Sequence, residues 1–462
     1  YMFIFPCIYI VSFLIALYNV LHKETDKILL FFILGLPIYI TSLSSAFILG
    51  FEPIVAVMQS FKEIIVLTAL GILLFNRKKK LVLHPVDYLA ISFVVITTIY
   101  IVLPLGDFSL KEKLLAFKSL SFFPFVYFTG RLADPTSINL NRYFQYICLI
   151  AILSTIVLIG EVYTNQHLQV FTGYAEFNYA YFGQEASGSY GLSWTFETAN
   201  GIKRFASFFG GPLELGTNTL FTISVIAALV THDKNKIKLN WFIIIAFAMT
   251  VLSIIFAFSR ASFASYFIIL YIYFLITERK KALRIFHYGV IFITLFVMFW
   301  LSGDIYDLII TTIDFSDPSS AYHVFQWLDG LEAIGKHPMG LGLGMAGRVS
   351  TETGSNIGGE NQLLIIGVQT GIIAVLIYIL LYAYTISTCF RTFKKTSGKQ
   401  RKLALALLLV KAGLLIPMFT ANIESYIYIA YITWFCTGLL ISMNQYSAET
   451  SLSSKHEASG KN

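Results

Sequence analysis

The feature that most constrains this chain is a series of apolar runs, each about as long as the twenty residues that an α-helix needs to cross a membrane. Hydrophobic residues make up 56% of the 462 residues and charged residues only 13%. A water-soluble core cannot hide that much apolar surface. No run shows the alternation of a transmembrane β-strand. The sequence therefore predicts an all-α polytopic membrane protein.

The runs predict about thirteen spans, with twelve and fourteen as the alternatives, in one integral-membrane domain over residues 1–443. Pro37, Gly50 and Pro53 interrupt the second and third runs, so a broken or re-entrant helix is an alternative to two regular crossings there. The predicted spans are residues 2–21, 28–49, 55–75, 86–105, 112–129, 142–161, 207–230, 240–258, 261–277, 283–301, 362–388, 400–420 and 424–443.

Lysine and arginine set the predicted orientation, because basic connectors stay on the cytoplasmic side. One set of alternating connectors, together with the C-terminal tail, holds 23 of the 33 lysines and arginines, and the other set holds 7. This places two long connectors, residues 162–206 and 302–361, outside. The polar tail, residues 444–462, is predicted to be disordered and cytoplasmic. The N-terminus also falls outside, which a further segment before Tyr1 would explain.

Other classes of function lack their sequence signals. The net charge of +7 mostly reflects the basic connectors, so it does not indicate a nucleic-acid partner. The four cysteines lie in or beside spans, without the spacing of a disulfide framework or a metal site. The sequence has no P-loop, no dinucleotide-binding glycine motif and no HExxH motif. We therefore expect no cofactor, and a substrate that already carries its own leaving group.

Four basic side chains stand inside apolar helices or at their outer edges. Each costs about 2.5–3.5 kcal/mol near the centre of a bilayer, so such residues usually line a substrate path or pair with an anion. We expect them to bind an anionic lipid headgroup beneath a long external loop. The four are Lys62, Lys118, Arg204 and Arg260. The polar residues of that loop are His323, His337, Arg348 and Glu360.

Residues 204–216 begin with Arg204 and lead through glycine and proline into an apolar span. An irregular helix start leaves backbone N–H groups beside the guanidinium, which suits a phosphate. An arginine that snorkels to the membrane interface is the alternative. Glu214 is a candidate salt-bridge partner for Lys62 or Lys118.

Residues 256–262 place Arg260 in a very tight turn between two apolar helices, with Ser259 and Ser262 beside it. Such a turn restricts the guanidinium either to lipid headgroups or to the interior of the bundle. Both alternatives stay open from the sequence.

The second long connector carries its own predicted helix over residues 323–334, because Val324, Trp327, Leu328 and Leu331 share one helical face. Pro338 then ends the helix, and glycines such as Gly342 allow tight turns or close approach to a ligand. A connector this long usually has a function. In the first connector, the aromatic residues of 162–200 either stack on acceptor sugars or form an interface belt.

Four motifs in this order resemble the O-antigen ligase and Wzy-type polysaccharide polymerase family over about residues 200–388. They are R-F-A-S-F-F-G-G-P-L-E-L-G, F-S-R-A-S, W-L-D-G-L-E-A-I-G-K-H-P-M-G-L-G-L-G and E-N-Q-L-L-I-I-G-V-Q-T-G-I-I-A-V-L. The resemblance implies a GT-C-like fold and a metal-independent glycosyltransferase at the outer face of a bacterial cytoplasmic membrane. Its substrate would be a glycan on undecaprenyl pyrophosphate.

The resemblance also implies roles for individual residues. Arg204 and Arg260 match the arginines of the family and would hold the pyrophosphate, assisted by Lys62 or Lys118. Transfer with inversion needs a base near the acceptor hydroxyl. Glu360 stands where ligases of the family carry a histidine, and His323 stands where many members carry an arginine. Glu360 and His323 are therefore alternative bases, while Glu360 as a simple helix cap is the third possibility. Asn361, Arg348, His337 and Gly342 are expected in the substrate loop, with His337 in a structural role.

The departure from the ligase pattern favours a polymerase, in which donor and acceptor are both undecaprenyl-linked repeat units of a surface polysaccharide. A chain-length regulator is a possible protein partner. Three alternatives stay open: a ligase that transfers the glycan to a lipid A core or another acceptor, a flippase for the same lipid-linked glycan, and a relative of the SEDS glycosyltransferases. No internal repeat is apparent, which disfavours the flippase.

Overall fold

The regular structure is helical throughout the described residues, apart from two isolated β-bridges. The computed structural model describes residues 2–77, 81–198, 201–299, 318–347, 349–350 and 356–459, and only the backbone of residues 297–299, 318–319 and 450–459. The all-α prediction is confirmed.

Every predicted span has a helical counterpart. The α-helices are α1 (Ile4–Leu21), α2 (Ile28–Leu34), α3 (Tyr39–Ile48), α4 (Glu52–Gln59), α5 (Phe61–Phe75), α6 (Pro85–Val102), α7 (Leu110–Ser121), α8 (Phe123–Leu132), α9 (Leu140–Thr164), α10 (Leu168–Phe171), α11 (Tyr174–Phe182), α12 (Pro212–Val230), α13 (Trp241–Ala257), α14 (Arg260–Ile276), α15 (Lys280–Phe299), α16 (Pro318–Lys336), α17 (Gln362–Lys395), α18 (Gly398–Gly413), α19 (Pro417–Thr420) and α20 (Ile427–Ser459).

Within the described ranges, 8 helical stretches are long and apolar enough to cross a membrane, and α13 and α14 are shorter apolar helices of 17 residues each. The multi-pass membrane architecture is confirmed, and the number of spans stays a prediction. Two of the stretches, Thr25–Ile48 and Glu52–Phe75, each contain two separate α-helices. A 3₁₀ turn containing Pro37 separates α2 from α3, and Ser60 separates α4 from α5.

Helix α12 lies at the centre of the bundle. It is buried over nearly its whole length, and α9, α13, α14 and α18 pack around it. Helices α8 and α20 pack backbone against backbone, because a Cβ atom on Gly130 would lie 1.9 Å from the Phe435 carbonyl oxygen. A Cβ on Gly438 would likewise lie 2.1 Å from the carbonyl oxygen of Tyr127. Small residues allow this backbone-to-backbone contact between membrane helices.

The bundle has two chemically different ends. The end named here the site end collects the C-terminal ends of α6, α9 and α13 and the N-terminal ends of α7, α12, α14, α17 and α20. The opposite end, named the basic end, carries Arg131, Arg401 and Lys402. Helix α20 continues at that end to Ser459, past the start of the predicted disordered tail. Extending an existing helix adds one hydrogen bond per residue without a new nucleation step.

Candidate active site

Arg204 stands at the site end, eight residues before the first residue of α12. Its backbone N–H donates to the Phe196 carbonyl at 2.8 Å, and the N–H of Phe205 donates to the carbonyl of Phe256 at 3.1 Å. The second bond joins the Arg204 segment to the last turn of α13, four residues before Arg260. The segments that carry Arg204 and Arg260, although far apart in the sequence, therefore lie side by side.

A polar scaffold fixes the backbone that follows Arg204. The Glu161 carboxylate accepts from the Ser207 N–H at 2.8 Å and from the Leu168 N–H at 2.8 Å. The Gln169 amide donates to the carbonyls of Ser207 and Phe209, at 2.7 and 2.9 Å. Ser207 has a left-handed backbone with φ of 55°, which a residue with a Cβ adopts only where its surroundings impose it. We did not predict Glu161, although a carboxylate inside an apolar run is itself a signal.

Arg260 is the first residue of α14, directly after a left-handed turn at Phe258 with φ of 46°. The Ser259 hydroxyl caps the helix by accepting from the Ser262 N–H at 3.4 Å. A Cβ on Gly216 would lie 3.0 Å from the Ser262 hydroxyl, so the turn packs directly on the first part of α12. This contact orients the turn toward the bundle.

His323, on α16, lies near both Arg204 and Arg260. Burial and the nearby charges of Arg260 and Arg204 lower the pKa of its imidazole, and a hydrogen bond with Gln326 opposes that shift only in part. The ring is therefore neutral near pH 7 and reports a positive electrostatic potential. The structure thus brings Arg204, Arg260 and His323 together from three separate segments.

Helix α16 packs on α17 and on the turn before it, and of the four apolar residues predicted to share one face only Val324 and Trp327 are half-buried. Leu328 and Leu331 are exposed, whereas Gly330 is buried against Gly358. A Cβ on Gly330 would lie 2.8 Å from the Gly358 Cα, so the absence of a side chain there selects the packed face. The apolar side chains alone could not predict this rotation.

Glu360 lies in the turn on which α16 packs. Gln326, the partner of His323, lies against Gly359, the residue before Glu360. The Glu360 side chain is open to water, but protein surrounds it closely enough that desolvation raises the pKa of its carboxyl. Burial and the charges of Glu360 and Glu214 raise the pKa of the Tyr426 hydroxyl, so both carboxylates lie near that ring.

Asn361, predicted in the substrate loop, is the N-cap of α17. Its buried side-chain oxygen accepts from the N–H groups of Leu363 and Leu364, at 2.9 and 3.2 Å. The cap is therefore Asn361 and not Glu360. Because asparagine is a favoured N-cap residue, the sequence held this signal.

Lys62 and Lys118 lie together in a second place. The Lys62 ammonium is 3.2 Å and the Lys118 ammonium 3.3 Å from the same Glu63 carboxylate oxygen. Lys62 also donates to the Tyr39 hydroxyl at 2.9 Å. The lysine partner is thus Glu63, which the sequence analysis did not single out. Glu214, the candidate partner, accepts from the Gly210 N–H at 3.1 Å instead.

These lysines line a cavity of about 440 Å³, named here the lysine cavity. Its wall combines charged residues with aromatic rings, and neither Arg204 nor Arg260 belongs to the described part of that wall. The four predicted cations are therefore divided between two neighbouring places. The residues of the wall used below are Gln59, Lys62, Glu63, Lys111, Lys118, Phe122, Tyr181, Phe182, Glu214, Glu424, Ser425, Ile427 and Tyr431.

The glycine-rich segment after α16 contacts protein backbone. Gly342 has φ of 111°, and a Cβ there would lie 2.6 Å from the Leu105 carbonyl oxygen. Its N–H donates to the Gln369 carbonyl at 3.1 Å, and the Leu341 N–H donates to the Val368 carbonyl at 2.7 Å. Gly342 therefore serves close packing between segments.

The carbonyls of Val368 and Gln369 can accept these hydrogen bonds because α17 is broken at Gly371, with φ of 78° and ψ of 176°. The Ile372 N–H leaves the helical ladder and donates to the Pro338 carbonyl at 2.9 Å. The segment after α16 thus replaces part of the hydrogen bonding of a membrane helix. Irregular backbone at this depth is tolerated where protein buries it.

The remaining loop predictions lie elsewhere. His337 is exposed directly after α16, where its N–H donates to the Ala333 carbonyl at 2.9 Å. It borders a surface depression with Asp329 and Lys336. Arg348 lies outside the described residues. Among the described residues, no group of three or more His, Cys, Asp or Glu side chains is arranged to hold a metal ion.

Part of the arrangement described here lies in a region that is similar to a known protein family. The family model for O-antigen ligase matches residues 245–379. This region contains Arg260, His323 and Glu360, whereas Arg204 precedes it. No curated protein matches the sequence.

The family match confirms the resemblance over residues 245–379. It supports a ligase or polymerase role in lipopolysaccharide-related O-antigen processing, with glycosyltransferase-like chemistry, in a multi-pass membrane protein.

Proposed function

We propose that the protein is a polymerase of undecaprenyl-pyrophosphate-linked repeat units for a bacterial surface polysaccharide. The single observation that carries the proposed donor chemistry is the convergence of Arg204, Arg260 and His323, because both arginine charges act on one imidazole. Glu360, which stands where the ligases of the family carry a histidine, favours the polymerase over the ligase. Fixed positive charge stabilises a leaving group on which negative charge develops. A lipid-linked pyrophosphate is such a leaving group.

Glu360 is the proposed general base. The oxygen of an acceptor sugar hydroxyl attacks the anomeric carbon of the donor, and its proton passes to the Glu360 carboxylate. The bond between the anomeric carbon and the pyrophosphate oxygen breaks, and the pyrophosphate retains the bonding electrons beside the arginines. Desolvation by the surrounding protein raises the pKa of the Glu360 carboxyl, which makes its carboxylate a better proton acceptor than an ordinary one. The attack inverts the anomeric configuration.

We place the reaction at the outer face of the cytoplasmic membrane. The supporting observation is the distribution of basic connectors, which assigns the basic end to the cytoplasm. The donor and the acceptor would reach the site end from the bilayer, and a chain-length regulator would bind from the outside.

A ligase is the second candidate, and the family description favours it. The two candidates share the donor chemistry and differ in the acceptor. A ligase transfers to a lipid A core or another acceptor, whereas a polymerase transfers to a second lipid-linked repeat unit.

The test uses the purified full-length protein in liposomes with lipid-linked repeat units prepared from the host. We expect a ladder of chains without added nucleotide, and the same ladder in EDTA. In parallel liposomes that also contain lipid A core, single transfer to that core without chain growth would identify the ligase. A strict requirement for a divalent metal would overturn the proposed mechanism.

A further inference from the structure

We propose that the lysine cavity binds the saccharide of the acceptor. This inference rests on the proposed function and adds the location and chemistry of the second substrate. The cavity volume of about 440 Å³ lies in the range of about 300–1,000 Å³ that is usual for small-molecule sites. Segments from α3, α5, α7, α11 and α12 and the residues before and within α20 form its wall.

The charge of the wall argues against a pyrophosphate. Three lysines (Lys62, Lys111 and Lys118) and three glutamates (Glu63, Glu214 and Glu424) belong to the wall. The carboxylate of Glu63 already pairs with two of these lysines. A dianion would have to displace that pairing and would meet the other carboxylates. The inference therefore assigns these lysines to the acceptor saccharide, whereas the sequence analysis expected them to assist the arginines at the pyrophosphate.

The same wall suits a polyhydroxylated ligand. A sugar hydroxyl both donates and accepts, so it can bond ammonium donors, carboxylate acceptors and the Gln59 amide in one place. Ion pairs within the wall keep these groups fixed before a ligand arrives. A neutral saccharide gains hydrogen bonds there without the cost of desolvating a charge.

Aromatic rings supply the second half of carbohydrate recognition. Phe122 and Tyr431 stack, with ring centroids 5.8 Å apart and an interplanar angle of 24°, and both rings border the cavity. Tyr181 and Phe182 border it from α11. The C–H face of a pyranose packs on such rings through dispersion. This gives part of the aromatic connector 162–200 a specific position.

The cavity lies beside the proposed base. Glu214 belongs to its wall, and so do Ser425 and Ile427, the two neighbours of Tyr426. The charges of Glu360 and Glu214 both act on the Tyr426 hydroxyl. A saccharide in the cavity would therefore lie close to the segment that separates the cavity from Glu360.

The experiment measures two ligands on the full-length protein in nanodiscs. The probes are undecaprenyl pyrophosphate and fluorescent oligosaccharides released by mild acid from the surface polysaccharide of the host. The cavity variants are Phe182→Ala and Lys118→Gln, and Tyr179→Ala is the matched control, because Tyr179 is an exposed ring on the same helix outside the cavity wall. Arg204→Ala and Arg260→Ala test the pyrophosphate site.

We expect Phe182→Ala and Lys118→Gln to weaken oligosaccharide binding by about tenfold and to leave undecaprenyl pyrophosphate binding unchanged. The arginine variants should show the reverse pattern. Lys118→Gln keeps the test valid if Phe182→Ala fails to fold, because the Lys118 side chain is 44% exposed.

Each contrary outcome has one meaning. Oligosaccharide binding that is absent in the wild type, or unaffected by both cavity variants, overturns the acceptor-site inference. Undecaprenyl pyrophosphate binding that survives both arginine substitutions overturns the proposed function and not the saccharide cavity.

Discussion

The two ends of the bundle use arginine in different ways. At the basic end, Arg131 and Asp87 form a buried ion pair, with the Arg131 Nε 3.2 Å from an Asp87 carboxylate oxygen. The Arg131 guanidinium also donates to the Val82 carbonyl at 2.9 Å and to the Gln445 side-chain oxygen at 2.7 Å. At the site end, two arginines act on an imidazole whose protonation they oppose. The first arrangement neutralises its charge within the protein. The second concentrates positive potential and so favours an anionic ligand.

The largest expected effect tests the basic end. Asp87→Ala leaves the Arg131 guanidinium buried without its carboxylate, which should lower the free energy of unfolding by about 3–5 kcal/mol. Thermal unfolding in detergent measures the change, with the exposed Asp134→Ala as control. Unchanged stability would show that this pair is not the structural clamp of that end.

The next prediction tests the site end. Arg204→Ala and Arg260→Ala should each reduce chain growth by about 10²–10³-fold, because a fixed charge on the leaving group is lost. Their unfolding midpoints should change far less than that of Asp87→Ala. Gel analysis of lipid-linked products measures growth, with Arg142→Ala, an exposed arginine, as control. Full activity in both variants would show that the arginines of the site end do not act on the substrate, and the proposed functional difference between the two ends would be wrong.

The base should show itself in the pH profile. Because burial raises the pKa of Glu360, the carboxyl stays protonated to a higher pH than usual, and activity should rise as the pH passes above that raised value. Glu360→Gln should reduce kcat by about a hundredfold or more and should abolish this rise of activity with pH. A wild-type profile in Glu360→Gln would exclude Glu360 as the base.

The smallest effect concerns His323. Its pKa is lowered in the free protein, and a bound anion should raise it. The complex therefore takes up protons. The affinity for undecaprenyl pyrophosphate should increase by about fivefold as the pH falls from the pKa of His323 in the complex to its lower pKa in the free protein. His323→Gln should give a flat dependence. An equal pH dependence in that variant would assign the effect to another group.

Sequence reasoning succeeded where the signal was local. Apolar runs predicted the long apolar helices, because crossing a membrane requires length and hydropathy alone, but they gave no signal for the short helices α10 and α11. Arg204 and Arg260 stood out because charge is costly in such runs. The Glu63 pairing, the Glu161 scaffold and the packed face of α16 required contacts between distant segments, and none of these has a periodic signature. Asn361 was different, because a capping residue can be identified from its position before a helix.

The break at Gly371 limits how far the segment after α16 can move. Three backbone hydrogen bonds, donated by Leu341, Gly342 and Ile372, join this segment to α17. At about 1 kcal/mol each, their loss would cost about 3 kcal/mol, so fewer than about one molecule in a hundred would have it detached at any moment. During turnover the C-terminal end of α16, the helix that carries His323, would therefore stay in place. Substrates would have to move past the nearly stationary segment that follows it.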